Sequence, residues 1–238
     1  MSRFNRNLLT VALAVTITAT ALTGAAEAST GASSVKLLTA QFESRQVVQI
    51  EIGDFRFAPG QVAPIHTHAA PAVGYVAKGQ IIYQVEGEKQ QILSAGDVFY
   101  EPVGPRILRF DNASATEEAI FLDFNLEQVD EPFIVFEQAP TEAIDRRSLP
   151  TIDLVDRSVD RVDIYTSELD RSASIVLDGD EPSLGLVAEG VVELQIKGEA
   201  KQRIAAGGSF SLPGAGSSAT IVNVSSEVIA KVITFRLR

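Results

Sequence analysis

The chain has 238 residues, of which 45% are hydrophobic, and it contains neither cysteine nor tryptophan. That is enough to bury a substantial core, as one large all-β unit or two smaller ones, and the apolar content argues against disorder. Without cysteine there is no disulfide, thiolate nucleophile or Cys-ligated zinc, and a net charge of −11 argues against nucleic acid as a partner.

Residues 1–28 have the make-up of a secretory signal peptide. Arg3 and Arg6 give a positive start, Leu8 to Leu22 form an apolar run, and Ala26-Glu27-Ala28 fits a small-x-small cleavage site. A membrane anchor is the competing reading. Four threonines (10, 16, 18 and 20) dilute the run and it is short for a span, so cleavage is favoured. The expected location is secreted or periplasmic, with no membrane association after cleavage.

Residues 29–44 begin small and polar and read as a flexible lead-in. Beyond them come short β-rich runs: Val47 to Ile52, Ile81 to Val85, Val98 to Tyr100, Ile107 to Phe110 and Ala119 to Phe124. Turn signals separate them, among them Lys78-Gly79, Glu86-Gly87-Glu88 and Ala95-Gly96-Asp97. Short strands at close, regular spacing predict an antiparallel sandwich or barrel over 45–126. Residues 127–150 are charged, carry Pro132 and Pro140, and read as a connecting segment with room for a short helix. A second unit follows over 151–238.

That second unit repeats the first. Setting Ala72 against Ser183 aligns 72–126 with 183–237 without a gap and gives 17 identities. They include Gly79/Gly190, Gly87/Gly198, Gly96/Gly207, Phe99/Phe210, Pro102/Pro213, Asn112/Asn223 and Phe124/Phe235. Turn glycines and apolar positions specify a backbone, so the chain is read as a tandem duplication of one β-domain. Asn112-Ala113-Ser114 and Asn223-Val224-Ser225 match a glycosylation acceptor, but their equivalent placement points to a turn role for the asparagines.

His66 and His68 are the only histidines. Positions i and i+2 of a strand face the same way, so the two imidazoles would make half of a metal site.

The run Gly60-x5-His66-x-His68, then Gly79, Gly96-Asp97-x4-Pro102-x-Gly104 and Asn112 resembles the two motifs of the cupin superfamily. The resemblance implies an all-β chain of two tandem cupin double-stranded β-helix (jelly-roll) barrels, a bicupin. Metal-binding cupins use two His and a Glu of the first motif and a His of the second. His66 and His68 match, but the Glu position falls on Ala72, or on Val73 with one more residue of spacing. The second His position falls on Ile107. In the second copy the equivalents of His66, His68, Ala72 and Ile107 are Leu177, Gly179, Ser183 and Ser218, so no ligand is expected there. Carboxylates near the pocket are Glu101 and Asp111, with Glu101 read as capping or pairing near the sheet edge. By strand parity Tyr83 and Arg109 would face the barrel interior and join His66 and His68 as ligand-binding residues.

The expected function is small-molecule binding in the N-terminal barrel without a strong catalytic metal. The alternative is a metal-dependent cupin enzyme of dioxygenase or isomerase type, using His66, His68 and a third ligand with Fe, Mn, Ni, Cu or Zn. A structural or assembly role is a third reading, and a homodimer is compatible with each.

Overall fold

The computed structural model describes residues 31–128, 130–149 and 151–238, so the leader read in residues 1–28 lies outside the described residues. No helix occurs among the described residues. The first half holds β1 (Ala32–Phe57), β2 (His66–His68), β3 (Ala72–Lys78), β4 (Gln80–Val85), β5 (Gln91–Ser94), β6 (Val98–Glu101), β7 (Ile107–Asn112) and β8 (Ala119–Glu127). The connection holds β9 (Ile134–Phe136) and β10 (Asp145–Ser148). The second half holds β11 (Ile152–Leu169), β12 (Ser174–Leu177), β13 (Ser183–Glu189), β14 (Val191–Ile196), β15 (Gln202–Ala205), β16 (Ser209–Leu212), β17 (Ala219–Asn223) and β18 (Ala230–Leu237).

Two of the sequence readings are corrected here. Residues 32–44 are not a loose lead-in, because β1 starts at Ala32 and pairs with β11 from Leu169 onward. Their polar side chains stay accessible while the backbone is satisfied by the neighbouring strand. The connecting segment carries strands in place of a helix, with β9 added beside β2 and β10 beside β1.

The large sheet runs β16-β13-β18-β11-β1-β8-β3-β6, an order that reads as its own mirror about the β11–β1 junction. Registers match across the mirror: Tyr75 faces Leu122 on β3 and β8, and Leu186 faces Ile233 on β13 and β18. Smaller sheets, β5-β4-β7-β2-β9 and β12-β17-β14-β15, cover the two halves.

Alternation along the large sheet divides its side chains between three cores. Val73, Tyr75, Leu122, Phe124 and Leu126 point away from the first sandwich and meet their counterparts Leu184, Leu186, Ile233, Phe235 and Leu237 in one buried cluster. Phe124 and Phe235 stack there at 5.2 Å with rings 2° from parallel. Each half also has its own interior, around Phe99, Phe110 and Phe121 in the first and around Leu194, Phe210 and Ile221 in the second. Gly74 and Gly185 are equivalent positions where an added Cβ would fall 1.9 and 2.1 Å from the rings of Phe99 and Phe210. The glycines are what let those aromatic rings into the two interiors.

One irregularity matters for the site. Gln84 pairs with Arg109 but Val85 pairs with Ile107, so Leu108 is an extra residue on β7. Such a bulge reverses the side-chain parity beyond it. The second half has none: Ile196 pairs with Ala219, so Ala219, and not Ser218, is the structural counterpart of Ile107. Asn112 and Asn223 serve as turn anchors. Each donates through Nδ2 to backbone carbonyls, of Phe57, Ala58 and Glu117 in one copy and of Leu169 and Val228 in the other.

Candidate metal centre

β2 is three residues long and interior to its sheet, with His66 opposite Ile107 of β7 and the whole strand paired to β9. Alternation therefore turns His66 and His68 to one face and Thr67 to the other. Both imidazoles are buried, with ring centroids 5.2 Å apart. His66 Nδ1 lies 2.8 Å from the Pro64 carbonyl and His68 Nδ1 lies 3.2 Å from the Phe133 carbonyl. A carbonyl only accepts, so each Nδ1 carries the hydrogen and each Nε2 of the neutral ring presents a lone pair.

Those lone pairs face Glu101. His68 Nε2 is 3.1 Å from Glu101 Oε2, and His66 Nε2 is 4.0 Å from Oε1. Glu101 is only 3% exposed, and its position follows from strand pairing: it stands directly opposite Ala72. Opposed residues in an antiparallel pair share a face about 5 Å apart. The carboxylate absent from position 72 is thus delivered to the same place by the neighbouring strand. One ligand atom from each of His66, His68 and Glu101 lies within 4.8 Å of the others, the one such group among the described residues.

The donor set suits a cation. His68 Nε2 and Glu101 Oε1 are buried without a hydrogen-bond partner, and a lone pair set against a carboxylate is repulsive unless a proton or metal lies between. Two imidazoles and one carboxylate are hard-to-borderline ligands of the kind that hold Fe(II), Mn(II) or Zn(II), and their outward Nδ1–H bonds fix the ring orientation. Burial lowers the pKa of His66. For His68 burial also acts downward, but the Glu101 carboxylate outweighs it and the net shift is upward.

The triad opens on a cavity of about 430 Å³, within the range of small-molecule sites. Phe55, Phe57, Phe110 and Phe121 line one part, while Phe133, Ile134 and Phe136 from the connection close another. Its polar wall consists of Glu51, Asp123, Asn125, Glu127 and Arg146. Asp123 is pushed up to about 8, chiefly by burial and then by the charge of Glu101.

Tyr83 and Arg109 stand elsewhere. Tyr83 points inward as parity predicts but belongs to the core, its hydroxyl donating to the Tyr100 carbonyl at 2.6 Å. The bulge at Leu108 turns Arg109 outward, where it pairs with Asp111 at 2.6 Å and Gln90 at 3.1 Å. Neither lines the cavity. Glu101, read from sequence as an edge residue, is instead the third member of the site.

The jelly-roll barrel thus brings two imidazoles and a carboxylate together on its interior. The cupin domain family matches residues 53–125, the stretch that carries the triad. No curated protein matches the chain. Among solved structures the salicylate 1,2-dioxygenase from Pseudaminobacter salicylatoxidans is similar over 80% of this chain and 71% of its own, with a TM-score of 0.59 and 14% identity. AerE from Microcystis aeruginosa is similar over 85% of this chain and 98% of its own, with a TM-score of 0.55 and 16% identity. At such identities the likeness concerns the fold.

Proposed function

We propose that this chain is an exported bicupin enzyme whose N-terminal barrel acts on a small molecule through one divalent transition metal, held by His66, His68 and Glu101. The observation that carries the reading is the convergence of Glu101 on the two Nε2 atoms inside a cavity of ligand size. It reverses the order in which sequence alone ranks binding and catalysis, because there Glu101 is a candidate carboxylate set aside as an edge residue. When bound, the ion supplies Lewis-acid or oxygen-activating chemistry, with iron the best match to this ligand set. The protein's own part is to hold the rings by their Nδ1–H bonds, to aim Glu101 at the two Nε2 atoms, and to exclude water with the surrounding phenylalanines. The fold shared with a dioxygenase whose gentisate adduct is known supports a pocket for a small organic molecule.

The test is elemental analysis of the purified full chain after metal loading, beside His66→Ala, His68→Ala and Glu101→Gln. About one ion per chain in the wild type, and loss in all three variants, is the expected result. Equal, trace metal in all four would sink it. A second reading, a binding barrel without metal, has the 3.1 Å His68–Glu101 contact in its favour, since a shared proton can occupy it as an ion pair.

A further inference from the structure

The sheet wall beside the triad presents a buried carboxyl oxygen, Asp123 Oδ1, that has no hydrogen-bond partner in the protein, although the charges of His68 and Arg146 reach it. Odd-numbered residues of β8 point into the cavity, so Phe121, Asp123, Asn125 and Glu127 all line it while Leu122, Phe124 and Leu126 pack behind. Asp123 is opposite Gly53 on β1 and Gly74 on β3. Neither neighbour has a side chain to offer it. At Gly74 the Phe99 ring occupies the space a Cβ would need, and at Gly53 a Cβ would come 2.6 Å from Phe55 and 3.0 Å from the Arg146 Nε. Asp123 is 5% exposed, and its Oδ1 has no hydrogen-bond partner. Asn125 Oδ1, next along the same face, is in the same state.

The charges around it are unequal. Glu51, Glu101, Asp123 and Glu127 bring four carboxyl groups to the lining, against one guanidinium. That guanidinium, Arg146, is engaged: its Nη2 donates to Glu51 at 2.6 Å and its plane lies 5.5 Å from the Phe55 ring centroid. A carboxylate ligand entering this wall meets acids and an occupied arginine. An ammonium group meets the opposite situation. It has three N–H donors for acceptors that lack them, its charge favours the ionised form of Asp123 so that the bond between them is charge-assisted, and the phenylalanine faces nearby favour a cation.

We infer that the pocket takes a cationic small molecule, a protonated amine on an apolar or aromatic body, with the ammonium on Asp123 and the body against Phe55, Phe110 and Phe121. The inference rests on the reading of this cavity as the site of a metal-dependent enzyme and specifies its substrate class. Asp123 is then a specificity residue, holding one end of the molecule while the triad faces another part of it.

Three probes of matched body separate the head groups: 2-phenylethylamine, 2-phenylethanol and 3-phenylpropanoate, titrated into the full chain by calorimetry or ligand-observed NMR. The amine is expected to bind at least about tenfold more tightly than either of the others, the size of one charge-assisted hydrogen bond. Asp123→Asn, checked for its fold by circular dichroism, is expected to erase that preference while leaving the affinity for the alcohol within about twofold. Alcohol binding equal to amine binding in the wild type overturns the inference, as does tightest binding of the carboxylate or binding of none. An amine preference that survives Asp123→Asn overturns the assignment to that residue. Metal content, measured on the same samples, separates the two readings. A metal-free chain that still prefers the amine would refute the enzyme reading alone, and a metal-loaded chain that prefers the carboxylate would refute this one alone.

Discussion

The two halves share a backbone and differ in what fills it. In the first, His66, His68, Glu101 and Asp123 line a cavity. In the second, the matching positions hold Leu177, Gly179, Leu212 and Thr234, and the interior is closed by Leu194, Phe210, Leu212 and Ile221. Even the space is gone: a Cβ at Gly179 would lie 2.2 Å from the Ser217 carbonyl carbon. The contrast extends to the acids. Glu51, opposite Asn125, opens on the pocket, whereas its counterpart Asp163, opposite Arg236, is fully buried and tied to Lys36 at 3.2 Å, with Arg161 and Arg238 each at 3.6 Å. Both copies bury polar atoms without a hydrogen-bond partner, among them His68 Nε2, Glu101 Oε1, Asp123 Oδ1 and Asn125 Oδ1 in the first and Asp163 Oδ2 and Thr234 Oγ1 in the second, but in the first these four residues line a cavity of ligand size. Such groups gathered around a space mark where function rather than stability sets the residue.

The sharpest way to break this contrast is at the triad. Glu101→Gln should abolish stoichiometric metal, whereas Leu212→Gln at the matching place should leave metal content unchanged, both read by elemental analysis. Because the proton on His68 competes with the ion and its pKa is raised, metal affinity should increase as pH rises through the region above the ordinary histidine value, visible in a pH series of metal titrations.

Next in size is Asp163. Replacing it with alanine removes the shared partner of three part-exposed cations and the acceptor of the Thr39 hydroxyl, and about 1–3 kcal/mol of stability should be lost in urea denaturation. Glu51→Ala, on the open side, should lose less.

Asp123 should behave in the opposite sense. In metal-free protein its folded pKa of about 8 lies above the ordinary carboxyl value of 3.8, so the folded state holds a proton over that interval. Its contribution to stability is full below the lower value and is lost as pH rises through the upper one. Asp123→Asn should therefore match the wild type near pH 4 and exceed it above pH 8, by on the order of 2 kcal/mol or about 4–8 °C in Tm. Equal melting curves at pH 8.5 would contradict the burial assigned to it. The smallest effect belongs to Arg106→Ala, which removes the exposed pair with Glu137 that tethers the connection near β9. Metal content and Tm should be unchanged, as for most exposed ion pairs.

Much of this was legible in the sequence. The duplication, the turn glycines and the parity of His66 and His68 all follow from local chemistry and self-comparison. Glu101 did not, because its role depends on strand register: the family pattern places a carboxylate at position 72, and only pairing puts residue 101 beside it. A signal was nonetheless present in the repeat. Glu101 stands where the other copy has Leu212, between the shared Phe99/Phe210 and Pro102/Pro213, and an acid at a position its twin fills with leucine is a candidate for the pocket. The same comparison singles out Asp123 against Thr234. Arg109 misled because one inserted residue, Leu108, reversed the alternation counted along the strand from Ile107.

The mirror order of the large sheet has a consequence for how the chain is made. β1 finds its partner β11 only after more than a hundred further residues have been synthesised, so the first half must wait with a long bare strand edge and the Phe124 face uncovered. Such far-reaching pairing slows folding and leaves the early chain prone to sticking to its neighbours. Covering that edge and that face is a structural role for the second half that needs no site of its own.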